Sequence, residues 1–314
     1  MTAGPPTGPP APPGRWLVTG AGSMLAHDLL PALERAGVQA LPADRARLDL
    51  TDPASVRRVL ARNRPAVVVN CAAWTAVDDA ETHEEQALAV NGHAVRTLAE
   101  ECRTVGAVLL HLSTDYVFAG EATAPYGEED ATGPRTAYGR TKLAGERAVR
   151  EILPGTGYVV RTAWLYGAGG DNFVRTLLRL ERERDTLDVV DDQRGQPTWT
   201  VELARLLVAL GLGALAGTAP AGIYHGTASG DTTWCGLGKE VFRLAGAAPG
   251  RVRPTTTAAF PRPAPRPAYS VLGHARWKSA GIDPPGDWRT LLAAALPTLA
   301  TDCEDLPSAC DRCP

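Results

Sequence analysis

The chain has 314 residues, enough to bury one large core or two smaller ones, and its 44% hydrophobic and 21% charged residues are ordinary for a soluble globular protein. A formal net charge of −3 gives no reason to expect a nucleic-acid partner. The longest apolar run, residues 206–216, fits a buried helix and is too short to cross a bilayer, so no membrane role is expected.

Residues 1–14 are mostly Pro, Gly, Ala and Thr, without the basic and apolar regions of a secretory signal, and read as a disordered leader. Six cysteines without a signal point to reduced thiols and a cytoplasmic location. Cys303, Cys310 and Cys313 cluster in residues 301–314, which read as a frayed tail because no fourth metal ligand lies near them. No metal is expected.

Residues 16–19 form a short apolar run that leads into Gly20-Ala21-Gly22-Ser23 and then an apolar-periodic helix closed by Gly37. Residues 39–42 read as the second strand, and 53–62 as a helix with Asp52 as its cap. Residues 66–70 (AVVVN) have the continuous β-branched character of a strand buried on both faces. One long helix is expected over 84–105, then strands at 108–113 and 158–161. Residues 251–268, rich in Pro, Thr and Arg, read as a long surface loop. Alternating strands and helices imply an α/β fold, a doubly wound parallel sheet of the Rossmann type. The expected division is a dinucleotide-binding domain over 15–165 and a smaller, mainly substrate-binding domain over 166–300, some segments of which return to the first sheet.

A Gly-rich turn between a strand and a helix lets the backbone approach a pyrophosphate, which then meets the unpaired N–H groups of the helix. Here Gly20 and Gly22 serve the turn, with the small Ser23 and Ala26 where further glycines are usual. After the second strand Asp44 suits a ribose 2′-hydroxyl and Arg45 a 2′-phosphate, so NADH and NADPH both remain open. Asp49, followed by Leu50, can reach an adenine edge; solvated loop charges are the bland alternative for all three polar residues.

Tyr138 and Lys142 stand four apart, on one face of a helix. A nearby ammonium favours the phenolate and brings its proton within reach of transfer, which a carbonyl reduction needs once hydride has reached carbon. Ser113-Thr114 ends the fourth strand, at the carboxyl edge where ligands bind, and the Thr114 hydroxyl can polarise the same carbonyl oxygen. Tyr and Lys at this spacing are common alone; the ordered set of turn, strand-end hydroxyls and Tyr-Lys pair is specific.

These motifs resemble the extended short-chain dehydrogenase/reductases, and within them the dTDP-4-dehydrorhamnose reductase family. The matching stretches are VTGAGSMLA (18–26), LDLTD (48–52), NCAAWTAVDDAE (70–81), VN (90–91), STDYVFAG (113–120), AYGRTKLAGE (137–146), RTAWLYG (161–167), DDQRGQPTW (191–199) and RPAYSVL (266–272). The resemblance implies a catalytic triad at Thr114, Tyr138 and Lys142. It implies cofactor contacts at Ser23, Met24 and Leu25, at Asp49 and Leu50, and at Ala72, Ala73 and Trp74, with substrate contacts at Thr114, Asp115, Tyr116 and Trp164. The expected activity is NADPH- or NADH-dependent reduction of the keto group of a dTDP-4-keto-6-deoxysugar, in dTDP-L-rhamnose or antibiotic-sugar biosynthesis. The dTDP-sugar is the expected partner, and a homodimer is left open. Two alternatives are weighed: a nucleotide-sugar epimerase or dehydratase, and a non-catalytic NADP-binding regulatory subunit. The dehydratase pattern has Glu after the Thr-Asp pair, where this chain has Tyr116.

Overall fold

A computed structural model describes residues 14–301; the expected leader and the tail with its three cysteines lie almost wholly outside the described residues. In chain order the elements are β1 (Arg15–Thr19), α1 (Met24–Arg35), β2 (Gln39–Ala43), α2 (Pro53–Asn63), β3 (Val67–Asn70), α3 (Val77–Ala80), α4 (Glu84–Leu88), α5 (Ala94–Val105), β4 (Val108–Thr114), α6 (Ala137–Ile152) and β5 (Gly157–Thr162). These five strands and one more make one six-stranded sheet, ordered Gly222–His225, β5, β4, β3, β1, β2, and every neighbouring pair is parallel. The order reverses beside β1 and β3, which opens a crevice at the strands' carboxyl ends.

Alternate residues of each strand go to opposite faces, and both faces are covered. Trp16, Val18, Val67, Val69, Leu110 and Val160 pack toward α1 and the helix Thr200–Leu215. Leu17, Val68, Leu109 and Val159 pack toward α2, α5 and α6. This double burial explains the unbroken apolar runs read in the sequence. At the crevice edge, Thr19 Oγ1 donates to Asn70 Oδ1 at 2.6 Å and Asn70 Nδ2 to His111 Nδ1 at 3.0 Å, which locks the ends of β1, β3 and β4 together.

Two expectations change. The helix expected over 84–105 is interrupted by a π-helical turn, Ala89–His93. The extra residue turns Asn91 inward, where it accepts from Trp74 N at 2.9 Å and donates to Thr141 Oγ1 at 3.1 Å, so the irregular backbone ties the loop after β3 to α6. The loop expected over 251–268 begins with a strand, Val252–Thr255, paired in parallel with Leu187–Val190. Val252 enters a separate core there, with α7 (Phe173–Glu183), α9 (Trp234–Leu244) and the final helix Trp288–Thr301. Between them α8 (Thr200–Leu215) lies against α1.

The element that positions the crevice is a buried ion pair. Arg161 on β5 and Glu146 on α6 are each 1% exposed, and the guanidinium donates from Nε at 2.9 Å and from Nη2 at 2.7 Å to the two carboxylate oxygens. Ser113 Oγ on β4 donates to the same carboxylate at 2.5 Å, and Arg161 lies over the Phe118 ring at 4.8 Å. Removing one partner strands a charge in the core. Glu146→Leu should therefore lower stability to urea by about 3–5 kcal/mol, and adding Arg161→Met should recover much of that loss. A double variant less stable than Glu146→Leu alone would show that the pair stabilises beyond relieving a stranded charge.

Candidate functional site

A cavity of about 990 Å³ opens at the carboxyl edge of the sheet, walled by the turn after β1, the ends of β4 and β5, the start of α6 and segments of the C-terminal third. At the turn, Gly20 takes φ +63°, and a Cβ there would stand 2.7 Å from Ala72 N, so glycine is required on both counts. Ser23 caps α1, its Oγ accepting from Ala26 N at 3.3 Å. Gly22, Ser23, Met24 and Leu25 all line the cavity, and a Cβ on Gly22 would meet nothing within 4 Å. The first turn of α1 carries no acid, so its N–H groups and dipole are left to an anion. This cradle fits a pyrophosphate. Ala26 is fully buried in the core behind it, where its methyl is accommodated.

The residues after β2 form a polar loop that does not line the cavity. Asp44 Oδ1 accepts from Arg47 N at 3.0 Å. Asp49 Oδ1 accepts from Thr51 N at 2.9 Å and from Thr51 Oγ1 at 2.6 Å, and these bonds hold its carboxyl below the usual range. Arg45 is exposed, its Nε 3.9 Å from Asp49 Oδ2. Leu50 is buried in the core between the sheet and α2. Of the loop after β3, Ala73 and Cys71 line the cavity, while Ala72 backs the Gly20 turn and Trp74 is held away by Asn91.

Thr114, Asp115, Tyr116, Tyr138 and Lys142 converge on the cavity. Helix α6 is set at its start by Thr136 Oγ1, which accepts from Gly139 N at 3.0 Å, and by Glu81, which accepts from Ala137 N at 2.8 Å. Arg140 and Glu84 add a bidentate ion pair at 2.8 and 2.6 Å that ties the same turn to α4. Thr114 Oγ1 donates to Asp115 Oδ1 at 3.0 Å and accepts from Tyr116 N at 3.2 Å. The Tyr116 and Tyr138 rings meet edge to face at 5.7 Å.

The electrostatics correct one expectation. Burial pushes the Tyr138 phenol up to about 12, against a lowering by Thr114, and the Asp115 charge raises it further. Lys142 does not offset this, because its Nζ donates to Leu112 O at 2.6 Å, on the sheet edge. The i, i+4 spacing puts both residues on one helix face, but the long lysine side chain turns onto β4 instead of the phenol. Burial also lowers Lys142 to about 8, partly countered by Glu146, and raises Asp115 to about 6. Asp115 and Ser270 are buried side by side, and the Ser270 hydroxyl moderates the rise of the Asp115 carboxyl.

Trp164 is placed in the cavity wall in an unusual way. Its φ is +46°, left-handed for a bulky residue. One ring face stacks on Trp234 at 3.5 Å and 8°, and the ring also meets Gly195, where a Cβ would stand 2.6 Å from Cε2. The Trp164 ring is thus packed between Trp234 and Gly195 while it lines the cavity. Trp234 is in turn held by Gln193 Oε1, which accepts from its Nε1 at 3.0 Å. Trp234, Gln193, Arg262 and Arg266 all line the cavity. The sequence reading did not single them out as site residues. Their loops meet only through long-range packing, and the stretches 191–199 and 266–272, which contain Gln193 and Arg266, are the trace they leave in the sequence.

Among the described residues no cluster of three or more His, Cys, Asp or Glu side chains could hold a metal, and no helix is long and apolar enough to cross a membrane. The model for the RmlD substrate binding domain matches residues 14–301. The chain is 61% identical over 290 residues to a dTDP-4-dehydrorhamnose reductase of Streptomyces griseus, covering 92% of this chain and 95% of that one. It is 50% identical over 288 residues to a dTDP-4-keto-6-deoxy-D-glucose reductase of Streptomyces niveus, covering 92% and 98%. Its structure is similar to that of a dTDP-4-dehydrorhamnose reductase of Bacillus anthracis solved with NADP, with a TM-score of 0.86, 34% identity, and coverage of 91% of this chain and 99% of that one. The cavity, its phosphate cradle and the Thr-Tyr-Lys set therefore sit in a chain that belongs to the RmlD substrate binding domain family.

Proposed function

We propose that this protein is an oxidoreductase that reduces the keto group of a dTDP-4-keto-6-deoxysugar with NADPH or NADH, in dTDP-L-rhamnose or antibiotic-sugar biosynthesis. The observation that carries the reading is the meeting, in one cavity, of the α1 cradle with Thr114, Tyr138 and Lys142. Residues 15–165 would hold the cofactor and 166–300 mainly the sugar, in a cytoplasmic protein.

In this reading Gly22, Ser23, Met24 and Leu25 hold the cofactor pyrophosphate. A bound nicotinamide cofactor supplies the hydride. Thr114 turns its O–H from Asp115 Oδ1 to the ketone oxygen and polarises it, and Tyr138 Oη gives its proton to the developing alkoxide. A phenol raised to about 12 keeps its proton until that stronger base appears, which suits it to be the acid. Lys142 completes the polar floor, holding β4 through Leu112 O.

Elimination needs both an acid and a base beside C5 and C6 of the sugar. Asp115 offers one carboxylate, but Tyr116 is pushed above its usual range by burial and is a poor base. Net reduction is favoured. Given a dTDP-4-keto-6-deoxyglucose, the protein should consume one NAD(P)H per product. Formation of a 4-keto sugar from dTDP-glucose with catalytic NAD would instead make it a dehydratase, and absence of any turnover would promote the regulatory-subunit alternative.

Tyr138→Phe should lower kcat at least ~100-fold while cofactor affinity, measured by fluorescence titration, is retained. Near-normal turnover would remove Tyr138 from the mechanism. Lys142 supplies a pH signature: its ammonium persists below about 8 and is lost above it. kcat/KM should fall as pH rises through that value, and the limb should vanish from the residual activity of Lys142→Met. A flat profile to pH 9.5 in the wild type would show that its charge is not needed.

A further inference from the structure

Within the cavity lining the described cations are Lys142, Arg262 and Arg266. Lys142 is buried against Leu112 O, so a diphosphate entering from the substrate side has the two arginines of the segment 260–267 to meet. That segment is fastened to α3 by one carboxylate, Asp78. Arg266 donates from Nη1 to Asp78 Oδ1 and from Nη2 to Asp78 Oδ2, both at 2.9 Å, and Ala264 N donates to Oδ1 at 3.1 Å. Arg262 Nη1 stands 3.9 Å from Asp78 Oδ2. Burial raises the Asp78 carboxyl, but these hydrogen bonds and charges outweigh it and hold the group below its usual range.

A guanidinium has five N–H donors arranged along two bidentate edges. Arg266 spends its Nη1/Nη2 edge on Asp78, and its other Nη1 hydrogen on Ala264 O at 3.0 Å. The Nε–H and the second Nη2–H remain, and they form the other edge. Arg266 also acts electrostatically on Tyr116, beside Tyr138, which places it toward the reacting end. The segment is held downstream by Tyr269 N, which donates to Gly120 O at 3.0 Å, so the guanidinium is fixed from both sides.

We propose that Asp78 is a positioning residue: it grips one edge of Arg266 so that the second edge is presented as a fork for a phosphate oxyanion of the nucleotide sugar. This rests on the reading above. A phosphate oxyanion could also belong to the cofactor, but that pyrophosphate already has the α1 cradle, and the fork lies with residues of the C-terminal third.

The test uses the full-length protein and calorimetric titration with dTDP, dTMP and NADPH. The wild type should bind dTDP more tightly than dTMP. Arg266→Gln should weaken dTDP binding about 10-fold and bring the dTDP/dTMP affinity ratio close to one, with NADPH affinity within about twofold of wild type. Asp78→Asn should lose part of the same ratio and raise KM for the sugar while leaving kcat at saturation. Arg266→Lys, which keeps the charge but not the fork, guards against a variant that fails to fold and should also lower the ratio. Equal losses for dTDP and dTMP would reduce the segment to packing, and a loss for NADPH alone would hand the fork to the cofactor; either overturns the proposal. Failure of the wild type to bind dTDP at all would sink the functional reading on which it stands.

Discussion

Two opposite charges, on Arg161 and Glu146, leave water together where β5 meets α6, and the shape of the cavity follows from how they are satisfied. Desolvating such a pair costs several kcal/mol per ion and is repaid only when the geometry is good and the remaining lone pairs are bonded. Here the pairing is bidentate, Ser113 Oγ takes a further lone pair of the carboxylate, and Glu128 O accepts from Nη1 at 3.3 Å. Because the participants come from β4, β5, α6 and the loop that carries Glu128, the network fixes α6 against the end of β4. That is the relation between Tyr138 and Thr114. The same carboxylate also supports the Lys142 ammonium against its own desolvation.

Burial at this site acts differently on each group. The phenol is held protonated and the carboxylic acid of Asp115 is moved to about 6, while Lys142 is brought down to about 8. A site whose groups all drift toward neutrality resists charge until a ligand brings its own. An alkoxide forming in such surroundings finds few competing dipoles and a proton donor already oriented.

Much of this was readable in the residues. Periodicity marked the strands because a doubly covered sheet demands continuous apolar runs, and the Gly20 turn was legible because the backbone there tolerates little else. The order of Ser-Thr and Tyr-Lys marked the site because parallel strands deliver their ends to one edge. What escaped was rotameric or long-range. Spacing says that Tyr138 and Lys142 share a helix face but not that the ammonium turns to Leu112 O. Nothing local to Trp164 announces that Trp234, 70 residues on, covers its ring, and Asp78 and Arg266 are 188 residues apart. The π-turn at Asn91 is likewise invisible to periodicity, since it answers to a partner on α6.

The cavity walls also differ in how firmly they are built. Trp164 keeps a left-handed backbone that isolated tryptophan would avoid, and it does so because Trp234, Gly195 and Phe173 close around the stack, Phe173 meeting Trp234 edge-on at 5.0 Å. The segment 260–267 has no such core: Phe260 is 43% exposed, and its hold on the rest is mostly polar. Local opening free energies follow buried apolar contact, so this strap belongs at the low-stability end of the molecule while the floor belongs at the high end. A floor that is rigid before the ligand arrives spares the reacting groups any reorganisation. The segment 260–267 is held instead by one carboxylate gripping two arginines, so its place depends on charge where that of the floor depends on packing.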